Sequence, residues 1–210
     1  MGDSISTYPN CNPHGAPVYY REDKLYDSGL QSASDTWWMQ VIDELGEFCA
    51  NNSFSGSLVS GEAFVSACSD RRCYNLHLHG MPDLILIYMG MNDCGHERTV
   101  GRDRPDDQNT FYGAYRIMLQ KIKRNYPAAK IVCATLPAWR DLTGKPAEQF
   151  KEWSADYNEA IRAAAREEGC LLADLAACGE YYEAFDGCHP NKNGHRQLAA
   201  LWLKALKAIL

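Results

Sequence analysis

The sequence predicts an α/β domain in which helices flank both faces of a parallel sheet, giving a three-layer α/β/α arrangement. The first observation is a set of short, almost continuous apolar runs at residues 83–90, 129–137 and 170–175. Such runs are typical of strands that are buried on both faces. The second is that amphipathic stretches of helical period separate these runs. The third is that the connections are short, so strand and helix alternate along the chain.

Four longer segments carry the helical pattern, and they span residues 35–48, 107–127, 146–169 and 192–210. Apolar residues recur in them every three or four positions. Asp35 is the expected N-cap of the first segment. The third begins with Pro146 and stops at Gly169, which predicts one continuous helix between a first-turn proline and a C-terminal glycine.

Length and composition favour one globular domain spanning residues 1–210. The chain is 46% hydrophobic, its net charge is −6, and its pI is near 5.5. An acidic chain lacks the basic face that a nucleic-acid or anionic-membrane partner requires. No apolar run reaches the ~18–20 residues of a membrane span. We therefore expect a soluble, cytoplasmic protein, with an upstream export signal left open. Composition leaves the oligomeric state open.

Nine cysteines are distributed along the chain. Cys133 and Cys170 lie within apolar runs, so we expect them to be small buried hydrophobic residues, with the thiols reduced. Cys68 and Cys73 are spaced so that they suggest a zinc site, but no second pair with ligand-like spacing accompanies them. No metal and no cofactor are therefore expected.

Residues 8–34 lack any clear period and contain three prolines and four tyrosines. A loop of this length within a compact domain is usually functional or disordered. Two interpretations remain open: the tyrosines line a substrate cleft, or they only pack the loop against the surface.

Four short stretches rich in glycine and polar residues follow predicted strands or precede helices, at residues 2–6, 51–61, 90–93 and 186–195. In an open α/β sheet, ligands bind beyond the carboxyl ends of the strands. Each stretch alone is a weak signal, because a Gly-Asp-Ser turn and an Asp-x-x-His pair both occur without function.

Together and in this order, these stretches resemble the four blocks of the SGNH hydrolase family, also called the GDSL-like esterases and lipases. "GDSIS", "NNSFSGS", "IYMGMND" and "DGCHP" carry the resemblance, which extends from residue 2 to about residue 198. The fourth residue of the GDSL motif is Ile5 here, a conservative change. The resemblance implies a flavodoxin-like fold.

The resemblance also implies a role for five residues. Ser4 would be the nucleophile, and His189 the base that removes its proton. Asp186 would hold the imidazole of His189 in one tautomer. The oxyanion hole would consist of the backbone N–H groups of Ser4 and Gly56 and the side-chain amide of Asn92.

Each of these residues also has an interpretation in which it serves only the structure. Ser4 and Gly56 would then be ordinary turn residues, Asn92 an Asx-turn residue and His189 a surface histidine. Asp93 is expected to pin a loop, and His195 to support the start of a helix. Trp139 closes a strand at the same edge of the sheet, where it would either form a wall of an acyl or sugar pocket or only pack on the surface. A metal-dependent hydrolase using Asp186, His189 and His195 lacks a further ligand.

The nucleophile turn departs from the family pattern, because only Met1 precedes it where a buried strand of about five residues is expected. We expect either native residues upstream of Met1 or a sheet whose first strand is truncated.

The expected function is cleavage of carboxylic esters through an acyl-enzyme, with short acyl groups such as acetyl, and with a small molecule or a carbohydrate as the substrate. One alternative is a catalytically weak carbohydrate- or ligand-binding module on the same scaffold. Another is thioesterase or lysophospholipase activity, since the same triad serves all these substrates.

Overall fold

The computed structural model describes residues 1–63 and 65–210 and contains a parallel sheet of three strands. They are β1 (Leu84–Ile87), β2 (Lys130–Ala134) and β4 (Leu171–Ala173), in the order β1-β2-β4. Ile85 is paired with Ile131, and Cys133 with Leu172. All three predicted strands and their parallel arrangement are confirmed.

The sheet extends past β1 through single-residue bridges. Gly2 forms one parallel bridge with Tyr88 and another with Ser53. Residues 1–2 therefore lie between β1 and the segment around Ser53, on the side of β1 opposite β2. A truncated first strand and its alternative, native residues upstream of Met1, both stay predictions.

Eight helices surround the sheet in the described part of the chain. They are α1 (Asp23–Ser28), α2 (Trp37–Leu45), α3 (Asp70–Tyr74), α4 (Met91–Gly95), α5 (Phe111–Asn125), α6 (Glu148–Trp153), α7 (Ala155–Glu167) and α8 (Lys192–Ile209). On one side α2 packs against α8, and on the other α5 packs against α7. The expected three layers are present.

Two helix predictions were wrong in detail. The segment 146–169 forms two helices, α6 and α7, which meet at Ser154. The N-cap of α2 is Thr36, whose hydroxyl accepts from the backbone of Met39. The carboxylate of Asp35 instead accepts from two N–H groups of the preceding turn.

A second small sheet was not predicted. It contains β3 (Trp139–Arg140), β5 (Tyr182–Asp186) and β6 (His189–Pro190), in the order β3-β5-β6. β5 and β6 form an antiparallel hairpin in which Asp186 lies opposite His189. Strands of two residues fall below the length at which alternation of apolar and polar residues can be recognised.

A groove of about 470 Å³ lies where the first strand would run upstream of Gly2. Its walls include β1 on one side and residues 48–51 on the other, and Met1 is also part of its lining. Much of the lining is apolar, with side chains that include Ile42, Phe48 and Leu76. The groove is open space between β1 and residues 48–51, next to the backbone of Met1.

All nine cysteines are free thiols. Cys133 is buried as predicted, whereas Cys170, next to the edge strand β4, is only half-buried. Within the described residues, no helix has the length and hydrophobicity needed to cross a bilayer.

Candidate active site

Ser4 begins a one-turn 3-10 helix directly after the Gly2 bridge. The carboxylate of Asp3 accepts from the N–H of Ile5, and the carbonyl of Ser4 accepts from the N–H of Thr7. A Cβ on Gly2 would lie 2.5 Å from the Ser6 hydroxyl oxygen, so this close turn requires glycine. The turn presents Ser4 at the carboxyl end of the sheet.

The structure brings Ser4, His189 and Asp186 together, although 185 residues separate the first two in the chain. The Ser4 hydroxyl donates to Nε2 of His189 over 2.9 Å. Nδ1 of His189 lies 2.8 Å from Oδ1 of Asp186, which also accepts from the backbone N–H of His189. Because the β5–β6 hairpin carries both residues, one tight turn fixes the imidazole against its carboxylate.

The imidazole of His189 is suited to accept a proton. A carboxylate can only accept hydrogen bonds, so Nδ1 carries the proton and Nε2 is free to act as a base. Burial lowers the pKa of His189 from its usual 6.5, against the opposing effect of Asp186. The ring is therefore neutral at pH 7.

Gly56 and Asn92 lie on two segments that meet beside the Ser4 turn. The N–H of Phe54 donates to the carbonyl of Gly2, which fixes the 54–57 turn next to Ser4. The amide of Asn92 donates to the carbonyl of Ser57 over 3.0 Å. Gly56 has a φ of +74°, and this left-handed conformation favours glycine whether or not the residue has a role in catalysis. Their oxyanion roles remain predictions.

Asp93 and His195 have structural contacts. The buried carboxylate of Asp93 accepts from the backbone N–H groups of Val59 and Ser60 and from the Ser60 hydroxyl, which confirms that it pins a loop. His195 is buried, and burial lowers its pKa to about 3. Its Nδ1 accepts from the N–H of Trp37, so it supports the start of α2.

Trp139 packs against aromatic neighbours. Its ring centroid is 4.4 Å from that of Phe150 and 6.4 Å from that of Tyr182. This is the packing role considered above, and a role for Trp139 in substrate binding remains a prediction.

Arg72 is a buried residue near the site that the sequence patterns did not reveal. Its guanidinium donates to the carbonyls of Gly2 and Asn52 over 3.0 Å each, and to the side chain of Asn52 over 2.7 Å. It also lies over the ring of Phe54. Arg72 therefore joins the two segments that form the Ser4 turn and the neighbouring 54–57 turn.

Tyr19 and Lys24, in the 8–34 segment, both contact the Asp186–His189 pair. The Tyr19 hydroxyl donates to Oδ2 of Asp186, and Nζ of Lys24 lies 3.3 Å from the same oxygen. The segment includes α1 and is therefore not the structureless loop that its composition predicted. The tyrosine-rich composition pointed to this segment but not to these contacts.

Residues 1–63 and 65–210 contain no group of three or more histidine, cysteine, aspartate or glutamate side chains arranged to hold a metal ion. The proposed set of Asp186, His189 and His195 is not such a group. His195 Nδ1 instead serves as the acceptor for Trp37.

A serine, a histidine and an aspartate joined by hydrogen bonds at the carboxyl end of an α/β sheet are typical of serine hydrolases. The sequence model of the GDSL-like lipase/acylhydrolase family matches residues 1–164. The chain belongs to this family, and it is a serine ester hydrolase. A catalytically weak carbohydrate- or ligand-binding module on the same scaffold stays an alternative.

Solved structures agree with the family assignment. A protein described as a GDSL-like lipase from Bacteroides uniformis is 26% identical, with a TM-score of 0.75 over 99% of this chain and 93% of that chain. A similarly described protein from Bacteroides ovatus is 25% identical, with a TM-score of 0.75 over 99% and 95%. A carbohydrate acetylesterase from Sinorhizobium meliloti shares the fold at 17% identity, with a TM-score of 0.65 over 99% and 95%. No curated protein sequence matches the chain significantly.

Proposed function

We propose that this protein hydrolyses short-chain carboxylic esters, with Ser4 as nucleophile, His189 as general base and acid, and Asp186 as the residue that orients the imidazole. The observation that carries the proposal is the continuous hydrogen-bonded path from Ser4 Oγ through His189 to Asp186, with separations of 2.9 and 2.8 Å. Both separations fall within the range needed for proton transfer.

The reaction proceeds in two steps. Ser4 Oγ attacks the ester carbonyl carbon while Nε2 of His189 takes the hydroxyl proton, and Asp186 stabilises the imidazolium that forms. The C–O bond to the alcohol then breaks, and His189 returns the proton to the leaving oxygen. Water next attacks the acyl-enzyme with His189 again as the base, releasing the acid and restoring Ser4.

The oxyanion hole consists of the N–H groups of Ser4 and Gly56 and the amide of Asn92. An asparagine amide has two N–H groups. The bond to the carbonyl of Ser57 uses one of them, so the other is available for the oxyanion. The same bond fixes the direction of the amide before substrate binds, which is the condition for efficient electrostatic stabilisation.

Replacing Asn92 with alanine is expected to lower kcat about 10²- to 10³-fold, the usual effect of losing one oxyanion donor. KM should change little, because the donor acts mainly in the transition state. The measurement is steady-state hydrolysis of p-nitrophenyl acetate. Asn109→Ala, at an exposed position away from the turn, is the matched control. A kcat for Asn92→Ala within threefold of the wild type would contradict the role.

Short acyl groups fit the surroundings of Ser4 best. Ser4 is only 7% exposed, and the His189 side chain only 16%. Tyr19, in the polar 8–34 segment, covers the imidazole. Among the fold neighbours, a protein from Sinorhizobium meliloti is named as a carbohydrate acetylesterase, and one from Geobacillus stearothermophilus as an acetyl xylan esterase. At 17% and 20% identity these names only make an acetylated carbohydrate a sensible class to test.

An acyl-chain series tests the substrate class. We expect kcat/KM for p-nitrophenyl esters to fall at least about tenfold from acetate to octanoate, because each added methylene must find space in a closed site. Acetate release from acetylated xylo-oligosaccharides, measured in parallel, tests the carbohydrate part. A maximum at octanoate or longer would contradict the short-acyl proposal. Faster turnover of acetyl thioesters or lysophospholipids than of oxygen esters would favour those alternatives.

A further inference from the structure

We propose that Tyr19 and Lys24 are positioning residues for the catalytic base: together they hold Oδ2 of Asp186 and cover one face of His189. We call this pair the Tyr19–Lys24 brace. The inference rests on the proposed roles of Ser4, His189 and Asp186 and adds two residues that the family motifs do not include.

The Tyr19 ring lies flat on the imidazole. The two ring centroids are 3.5 Å apart, and the planes differ by 6°. The same side chain donates its hydroxyl to Oδ2 of Asp186, while Oδ1 faces Nδ1 of His189. One tyrosine therefore contacts both the base and the carboxylate that orients it.

Hydrogen bonds from the turn that contains Ser4 hold Tyr19 in position. The Tyr19 backbone N–H donates to the Thr7 hydroxyl over 2.9 Å, and that hydroxyl donates to the carbonyl of Ser4. The hydrogen bonds thus form a closed ring that runs from Ser4 through Thr7 and Tyr19 to Asp186, and back through His189 to Ser4. A side chain that only packed the loop on the surface would not close this ring.

Tyr20 anchors the same segment to the hairpin. Its side chain is fully buried, and its hydroxyl donates to the carbonyl of Pro190 over 2.9 Å. Pro190 directly follows His189 on β6. The segment is therefore attached at the nucleophile turn and at the strand that carries the base.

Lys24 completes the brace from α1. Its ammonium lies 3.3 Å from Oδ2 of Asp186 and 5.7 Å from the centre of the Tyr19 ring. The Asp186 side chain is 31% exposed on a short hairpin, so rotation of its carboxylate would move Oδ1 away from His189. With Tyr19 and Lys24 both bound to Oδ2, that rotation breaks two contacts at once.

The brace also affects the protonation of the base. Burial is the main cause of the lowered pKa of His189, and the positive charge of Lys24 contributes in the same direction. Other titratable groups near His189 are Tyr19 and Tyr20 in the 8–34 segment, Asp186 and Cys188 on the hairpin, and His195 on α8. Asp3, before the nucleophile turn, acts on Cys188. Among the residues that the structure describes, Lys24 is the lysine or arginine that pairs with Asp186.

Three variants test the parts of the brace separately. Tyr19→Phe removes the Tyr19 hydroxyl, Tyr19→Leu removes the Tyr19 ring, and Lys24→Met removes the Lys24 charge. Tyr19→Phe keeps the stacked ring and should lower kcat for p-nitrophenyl acetate about three- to tenfold with KM unchanged, the usual effect of losing one hydrogen bond. Lys24→Met and Tyr19→Leu should raise the pKa of His189, because one removes a nearby positive charge and the other exposes the imidazole to water. The acid limb of kcat/KM should therefore move to higher pH in both variants.

Two matched controls accompany these variants. Tyr26→Phe removes a hydroxyl from the same segment at a side chain that is 88% exposed. Lys204→Met removes an ion pair with Glu180 on the surface. Both should keep the kcat and the pH profile of the wild type. An NMR titration of the His189 ring, assigned by comparison with His189→Ala, measures the same pKa change without turnover.

Wild-type kcat and an unchanged acid limb in Tyr19→Phe and Lys24→Met would overturn the brace. So would a fall in kcat that only follows a fall in Tm, with the pKa of His189 constant in all three variants. Failure of the underlying mechanism looks different: wild-type protein inactive on every ester, or full activity in Ser4→Ala, would refute the catalytic roles and the brace with them.

Discussion

Replacing Ser4 with alanine is expected to lower kcat for p-nitrophenyl acetate by about 10⁴-fold or more. The change removes the proposed nucleophile, the hydroxyl that lies 2.9 Å from Nε2 of His189. The proposed oxyanion donors and the binding surface remain, so a small residual rate above that of water should persist. Residual activity of this kind distinguishes loss of the nucleophile from loss of the fold.

His189→Ala should have a similar effect, and the double variant should be little worse than either single one. The serine is a weak nucleophile without its base, and the base has no proton to remove without the serine. Residues that act as one unit therefore give strongly non-additive losses. Single-turnover measurements on the two single variants and the double variant test this directly.

Ser6→Ala is the control for the first variant. Ser6 lies in the same 3-10 turn, but its hydroxyl accepts from Trp37 rather than contacting His189. Its kcat should stay within about threefold of the wild type, because no reacting group is altered. Full activity in Ser4→Ala, or losses that multiply in the Ser4→Ala/His189→Ala double variant, would refute the triad.

The sequence predicted which residues lie together better than it predicted the residues that hold them. The resemblance of their short motifs to the SGNH blocks predicted that Ser4, Asp186 and His189 lie close together, and they do. Their catalytic roles stay a proposal. The brace depends on where the 8–34 segment folds back, and no local pattern encodes that path. Tyr19 and Tyr26 look alike in sequence, yet one covers the base and the other is 88% exposed.

In the fold too, the elements with a local sequence pattern were predicted and those without one were not. β1, β2 and β4 were predicted because burial on both faces produces continuous apolar runs. The β5–β6 hairpin was not predicted, because Asp186 and His189 are polar and its second strand has only two residues. The division of segment 146–169 at Ser154 was not predicted, because the apolar period continues through it and no glycine or proline lies between residues 147 and 168.

Adding an apolar strand of about five residues before Met1 is expected to raise the free energy of unfolding by roughly 4–9 kcal/mol, if two or three large side chains become buried. The backbone is already aligned for such a strand. The amino group of Met1 donates to the carbonyl of Leu86 over 2.8 Å, and its carbonyl accepts from the N–H of Tyr88. These bonds continue the parallel ladder up to the edge of the 470 Å³ groove.

The same extension should change how stability depends on pH. The amino group of Met1 is buried, and burial together with Arg72 lowers its pKa from 8.0 to about 5. Between these values the unfolded chain binds a proton that the folded chain does not, so this group makes stability rise from pH 5 to pH 8. An extension replaces the amine with a peptide bond and removes this dependence. Asp3, whose pKa burial raises to about 7, acts in the opposite direction but is present in both proteins.

Urea unfolding at pH 5 and pH 8 measures both effects. The extension should raise the free energy of unfolding more at pH 5 than at pH 8. At pH 5 the Met1 amine of the unextended chain is fully protonated when the chain is unfolded, which stabilises the unfolded state relative to the folded state. The matched control is an extension of equal length made of glycine, serine and threonine, which removes the terminal charge without filling the groove with apolar side chains. Because the control shares the new peptide bond, it should share the altered pH dependence but gain much less stability. Equal midpoints for the two extensions would show that the groove does not accept an apolar strand.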